Sequence, residues 1–415
     1  MRITRFLHNP DVTVEEMVST VSARTGALVR GRHVLAIQDT TSVRVDADGC
    51  GVSLHPVIAV DADDGTLLGL VDACVLQRKG GESSERKKRD FEKKDSRRWL
   101  DGARSAGALA EAGANCVTVV EDREGDIYEC FAFKPDNVEK LVRAAQNRTL
   151  TDASALFDTV DSWSEAGQMS IDLPAAPGRK ARQATLSLRY GTVTIKRPSR
   201  PVEALAKLPE TVTLQIVDVR EINPPKNETQ AHWRLLTTHP VNDIADARQI
   251  VHLYRQRWTI EQLFRTLKTQ GFNIEALRQE EDGPLEKLLA ASLVAAVTVM
   301  QLVAERDGKA KRPLTDAFDP DDQDALERVS QSLEGKTAKQ KNPHPEGSLA
   351  YAAWVFARLG GWTGYYGKPG PIVMLRGLTE FHSIKHVGTY EMCESRSPHA
   401  GEVLSVAKRR GDLPI

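Results

Sequence analysis

A chain of 415 residues, 40% hydrophobic and 27% charged, has the composition of an ordinary globular protein long enough to bury more than one core. Its formal net charge of −1 excludes a uniformly basic nucleic-acid binder, so any such role must rest on local clusters. Five cysteines without a CxxC pair and ten histidines without an HExxH pattern exclude a zinc motif legible in the sequence, and point to a reducing, cytoplasmic compartment.

The first residues, MRITR, lead into Asn9, Pro10 and Asp11 without the apolar stretch a secretory signal needs. Residues 34–37, VLAI, read as a short buried strand, and the polar QDTT that follows puts Asp39 at its C-terminal end. Strands are expected near 33–39, 55–60 and 67–75, with a turn at 61–65 between the last two. The stretch 84–99, SERKKRDFEKKDSRRW, is strongly basic and is either a solvated surface or a phosphate contact. A helix near 95–113 closes at Gly113 and returns the chain to an apolar strand, 116–120. That strand ends in Glu121 and Asp122, and a helix follows from about Asp126. Cys116 reads as strand packing, and Glu121 and Asp126 as capping or solvent-exposed acids.

From 150 to 222 the pattern alternates, as in ATLSLRYGTVTIKR and TVTLQIVDVREI, with a hairpin turn expected at Tyr190 and Gly191. This segment carries a second basic cluster, Arg179, Lys180, Arg182, Arg189, Lys196, Arg197 and Arg200. Pro224 and Pro225 form a rigid linker, and a strand is expected at 233–238. Residues 254–268, YRQRWTIEQLFRTLK, read as one helix. At 3.6 residues per turn Tyr254, Arg257, Glu261 and Lys268 share a stripe on it, and Leu253, Ile260, Phe264 and Leu267 make an apolar stripe elsewhere. Such a charged stripe is either a solvated face or a site. The apolar run 288–304 contains Ser292, Thr298 and Gln301 and reads as a buried helix, with no membrane partner. Residues 307–347 look like a connection with little packed core, 348–362 like an apolar helix closed by Gly360 and Gly361, and 389–415 like a disordered tail.

The spacing Y-x2-R-x3-E-x6-K in 254–268 resembles the signature of the IS-four family of Tn-five-like bacterial insertion-sequence transposases. HVLAIQDTTS resembles that family's strand-DTT segment, and DREGDI, starting at Asp122, its DREAD-type motif. The resemblance implies that Asp39, Asp122 and Glu261 are the catalytic carboxylates and hold two Mg2+ ions, with Mn2+ able to substitute. Phosphodiester cleavage suits such a trio, because hard divalent cations take carboxylate oxygens and keep positions open for phosphate. It further implies that Tyr254, Arg257 and Lys268 bind DNA phosphates. Trp233 and Trp258, by default core residues, become DNA-binding aromatics, Trp233 by stacking on a flipped base.

The implied fold is α/β: a ribonuclease-H-like mixed sheet core with helices, a β-rich insertion and a helical C-terminal region. The expected boundaries are 1–30 for a remnant of an N-terminal DNA-binding domain and 31–149 and 223–282 for the two parts of the core. Residues 150–222 form the insertion, 283–388 a helical region with a dimerisation role, and 389–415 the tail. RFLHNPDVTVEEM, 5–17, resembles the close of the family's N-terminal domain, most of which is therefore expected to be missing. The implied function is cut-and-paste DNA transposition on transposon-end and target DNA, by a homodimer. The alternative is a truncated, non-catalysing regulator or inactive remnant that pairs with full-length transposase.

Overall fold

In the computed structural model the apolar run 34–37 forms the middle of a strand, β1 (His33–Gln38), inside one mixed sheet. The structure describes residues 2–45, 51–78, 91, 94–174, 180–199, 208–226, 228–365 and 367–395. The chain divides into two compact units, residues 1–297 and 298–415. The first unit opens with α1 (Arg2–Leu7) and α2 (Val14–Ala27), the latter capped by the Thr13 hydroxyl, which accepts from the Glu16 amide at 3.1 Å. After β1 come β2 (Thr41–Val45), β3 (Gly51–Asp61) and β4 (Leu67–Arg78). Then follow α3 (Arg98–Glu111), β5 (Cys116–Glu121), α4 (Tyr128–Ala132) and β6 (Glu139–Arg143). The unit continues through α5 (Leu156–Asp161), β7 (Gly167–Leu173), β8 (Arg182–Lys196), β9 (Thr211–Glu221) and β10 (His232–Thr237) to α6 (Ile244–Arg255) and α7 (Trp258–Lys268).

The sheet runs β2-β3-β1-β5-β6-β10-β9-β8-β7, with β4 on the other edge of β3. Strands β1, β5 and β6 are parallel and the remaining pairs antiparallel, as a ribonuclease-H-like α/β core requires. Burial explains the central position of β1: Val34 to Ile37 are all fully buried, which only a strand covered on both faces achieves. One face packs on α3 through Ala103, Ala106 and Leu109, against Val34, Ala36, Val117 and Val119. Strands β7 to β9 do not form a separate layer, because β9 pairs with β10 over His232 to Thr237 and prolongs the sheet.

Three sequence expectations change here. No hairpin turns at Tyr190 and Gly191; β8 runs straight through them, paired with β9 from Leu186 to Lys196. Gly191 is there for space, since a Cβ would lie 2.8 Å from the Trp163 ring. Glu121 and Asp126 are not exposed acids. Asp126 is buried against Arg148 at 2.5 Å and accepts from the Ala145 and Gln146 amides. Glu121 is fully buried and paired with the equally buried Lys140 at 2.5 Å. The 307–347 region, in the second unit, is packed rather than a bare connection: it contains α9 (Gln323–Leu333), and Leu314, Phe318, Leu326 and Val329 are buried. Leu326, Val329 and Ser330 recur at helical spacing within a polar stretch, so one face suffices.

Between α7 and α9 lies α8 (Asp282–Glu305), long and apolar enough to cross a membrane by length and composition alone. Leu289, Leu293, Val299 and Leu302 on it are fully buried in protein, as in a core helix. The second unit also holds α10 (Leu349–Leu359) and α11 (Pro371–Ser395). Every residue from Leu349 to Ala357 is buried. Glycines bring α10 and α11 into backbone contact: a Cβ on Gly377 would fall 1.8 Å from the Phe356 carbonyl oxygen. The side chains of the expected tail, and all of 396–415, lie outside the described residues.

Behind the sheet's C-terminal end, a chain of polar contacts fixes β1 against β5. Gln38 donates to Glu121 at 2.6 Å and to the Trp99 carbonyl at 3.0 Å, and its Oε1 accepts from His55 Nε2 at 3.0 Å. Burial, with Arg98 adding to it, drives the His55 pKa down to about 3, so the ring is neutral and its Nδ1 accepts from the Thr40 hydroxyl at 2.9 Å. Burial likewise raises the pKa of Glu121, against the pull of Lys140 and Gln38. Lys140→Met therefore leaves a buried carboxylate without its cation, and we expect a loss of about 3–5 kcal/mol. Urea denaturation measures it, and Lys140→Met/Glu121→Met should recover most of the loss.

Candidate active site

Strand register places the first two acids. In the parallel β1–β5 pair Ile37 lies beside Val120, so Asp39 and Asp122 leave the sheet side by side. In the β5–β6 pair Glu121 lies beside Val142, which puts Arg143 next to Asp122. Asp39 and Thr40 interrupt the edge that β1 and β2 share on β3: Gln38 pairs with Val57 and Thr41 with Leu54, so the break faces His55 and Pro56. Pro56 has no amide hydrogen for a ladder bond, which suits a break at that point. The Asp39 carboxylate accepts from the Thr40 amide at 2.7 Å, and Asp122 caps the short 3-10 turn Arg123–Gly125 by accepting from Glu124 at 2.8 Å.

The third acid arrives on a broken helix. The 254–268 segment is not one helix, because α6 ends at Arg255 and α7 begins at Trp258. Across Gln256 and Arg257 the amides bond three residues back, Arg257 to the Tyr254 carbonyl at 3.0 Å and Ile260 to that of Arg257 at 3.1 Å. The break also shifts the apolar face, so that Leu263 is buried and Phe264 only half-buried. It sets Arg257 in the turn at the N-terminus of α7, where the helix dipole disfavours a cation. Carboxylates offset this: Arg257 Nη1 meets Asp39 Oδ2 at 3.1 Å, and Nη2 bonds Glu261 Oε1.

Tyr254 is buried beneath this pair, with the Arg257 guanidinium 6.0 Å from its ring centre and the half-buried Trp233 ring 6.1 Å away. Arg143 shares a side-chain hydrogen bond with Tyr254. Burial raises the Tyr254 pKa, so its hydroxyl stays protonated and able to donate. Lys268 pairs with Glu275 at 2.7 Å, and no bond ties it to the three acids. Trp258, 43% exposed, turns its ring to solvent beside Arg257.

Charge at the site is out of balance. Burial, then the Asp122 carboxylate, push the Asp39 pKa up to about 6, against the Thr40 amide and Arg257, which pull it down. Two residues here were not singled out in the sequence. Arg143 ends the third parallel strand, and Lys140 underlies Glu121; EKLVR is too short and amphipathic to be told from a helical turn. Among the described residues of the second basic cluster, Arg182, Arg189 and Arg197 are engaged within the protein, while Lys180 and Lys196 are exposed. Arg182 pairs with Glu221 and Glu228, and Arg189 lies 3.8 Å from the fully buried Asp218. Arg179 and Arg200 lie outside the described residues, as does most of the 84–99 cluster. From that cluster Arg98 is buried and donates to the Thr40 hydroxyl at 2.9 Å.

Residues 54–297, more than half of the chain, match the family model described as Transposase DDE domain. Asp122 and Glu261 lie within the match, and Asp39 just before it. That family implies catalysis with a divalent metal. The residues present fit one: the donors are three carboxylates, all hard oxygens, and a cation already bridges two of them in the form of Arg257.

Metal must displace the proton that Asp39 holds below pH 6. Divalent-metal affinity, measured by calorimetry, should be flat above pH 7 and fall about tenfold per unit below pH 6. A carboxyl with a raised folded pKa adds most stability when protonated and loses it as pH rises through that pKa. Asp39→Asn should therefore remove the fall in metal-free stability between about pH 4 and pH 6.

Proposed function

Because the chain belongs to the transposase DDE-domain family and DNA transposition is thus its function, we propose that it works by cut-and-paste, as a Tn-five-like, IS-four member with the YREK signature. One observation carries this reading: Arg257 joins Asp39 to Glu261 across more than two hundred residues of chain, while the Asp122 carboxylate bears on Asp39. In this proposal Asp39, Asp122 and Glu261 are the catalytic acids and hold two Mg2+ ions, for which Mn2+ can substitute. When bound, divalent cations would activate the attacking oxygen and stabilise the charge on the phosphate and the departing oxygen.

The chain's own residues supply the rest. Arg257 faces the gap between the acids with a planar, doubly donating guanidinium, suited to holding a phosphate oxygen as charge builds there. Arg143 adds a second cation beside Asp122, and the protonated Tyr254 hydroxyl gives a neutral donor between the two arginines. The exposed Trp258 ring is available to stack on an unpaired base at a transposon end. Trp233, packed toward Tyr254, must first leave that contact to do so. Lys268 would exchange Glu275 for a DNA phosphate, contributing affinity rather than chemistry. Two copies acting together on transposon ends and target DNA complete the proposal.

Purified protein should nick end-containing duplex DNA with Mg2+ or Mn2+. Glu261→Gln should lower that rate by more than the roughly 100-fold typical of residues one shell further from a metal. Undiminished cleavage by this variant would sink the triad assignment. Trp258→Ala, being on the surface, should keep the fold yet weaken binding of a single-stranded end by about 1–3 kcal/mol in fluorescence anisotropy.

A further inference from the structure

The parallel strands that carry the acids at one end carry a different set of donors at the other. His33 begins β1 and Cys116 begins β5, and the register makes them direct neighbours. His239 follows β10, on a segment anchored to β6 by the Thr238 amide on the Lys140 carbonyl at 3.1 Å and the Lys140 amide on the Thr238 hydroxyl at 2.8 Å. One ring nitrogen from each histidine and the Cys116 sulfur all lie within 4.8 Å of one another. The Thr118 hydroxyl sits among them, 2.8 Å from His33 Nε2 and 2.7 Å from His239 Nε2. All three ligand residues are half-buried, so an ion can reach them while the strands keep them in place.

We propose that His33, Cys116 and His239 form a second metal site, which takes a borderline-soft transition metal of the Zn2+ type and clamps the starts of β1 and β5 to the segment after β10. Ligand chemistry separates this site from the acidic one. Imidazole and thiolate select zinc-like ions and are poor partners for Mg2+, which prefers carboxylate and water. Bonds of about 2.0–2.3 Å around zinc need donors some 3.3–3.8 Å apart, a modest side-chain rotation from the present spacing. A fourth position is left for water.

The surroundings agree with this assignment. Burial lowers the pKa of both histidines, so their rings are neutral and have lone pairs to give. Asp63 faces His33, and Glu139 faces His239 and Cys116, providing negative charge against a dication, while Asp61 is already paired with Arg32 at 2.5 Å. Metal binding displaces the Cys116 thiol proton, so the thiolate forms in the same event and uptake weakens as pH falls.

Cobalt titration into chelator-stripped full-length protein, with Mg2+ in excess to fill the acidic site, tests the proposal. We expect one Co2+ per chain with a thiolate-to-cobalt charge-transfer band. The band should vanish in Cys116→Ser, weaken in His239→Ala and persist in Asp39→Asn/Glu261→Gln. Zn2+ should raise the thermal midpoint of the unaltered protein and protect Cys116 from alkylation, mapped by mass spectrometry. That protection needs no variant and decides the matter if Cys116→Ser fails to fold. Absence of both band and protection would mean that the cluster is only a His-Thr-His hydrogen-bond chain, and would overturn the proposal. So would a band that survives Cys116→Ser unchanged.

Discussion

Repulsion between acids at adjacent parallel strand ends is the constraint around which this protein is arranged. Register alone makes Asp39 and Asp122 neighbours, and partial burial together with the Asp122 carboxylate pushes the Asp39 pKa up to about 6. Positive charge answers from three directions. Arg257 comes from the break between α6 and α7, Arg143 from the end of β6, and Lys140 from beneath, where it pairs with Glu121. An unbroken helix would place Arg257 differently relative to Glu261, and the guanidinium that now bonds both Asp39 and Glu261 depends on that turn. A site with this imbalance is ready for a divalent cation.

The polar chain behind the site converts charge into position. Gln38 immediately precedes Asp39, Glu121 immediately precedes Asp122, and the two are bonded to each other. His55 and Thr40 extend the chain to Arg98 on α3, so that the two strand ends and the helix beside them are held by donors and acceptors matched in one tautomer. A buried polar network of this kind resists small displacements more than apolar packing does, and so holds Asp39 and Asp122 in register.

The extended half of the sheet carries its own balance of charge. Asp218, fully buried on β9, is met by Arg220 at 2.7 Å, Arg234 at 3.3 Å and His232 at 2.8 Å, while Asp161 binds both Arg220 and Arg234. Many of the arginines that make this region basic are therefore structural. A count of basic residues overstates the surface available to DNA, and a net charge near zero understates what local geometry can do.

Much of the site could be read in the sequence because its signals are local. An apolar run that ends in an acid announces a strand end, and Tyr, Arg, Glu and Lys at fixed intervals announce a charged face. The strand-end positions of Asp39 and Asp122 and the charged face of Tyr254, Arg257 and Glu261 are legible in this way, as are the buried apolar helices α8 and α10, whereas a catalytic role for these residues follows only from the family resemblance. Local spacing could not place Lys268, which turns to Glu275, nor foresee the break at Gln256 and Arg257, where three-residue bonding replaces four at no visible proline or glycine. The same limit hid Arg143, the buried pairing of Glu121 with Lys140, and the meeting of His33, Cys116 and His239. The sequence by itself determined which groups could do chemistry and which runs would be buried. Tertiary structure alone decided which of them meet, because strand register and long-range pairing join residues that no interval along the chain connects.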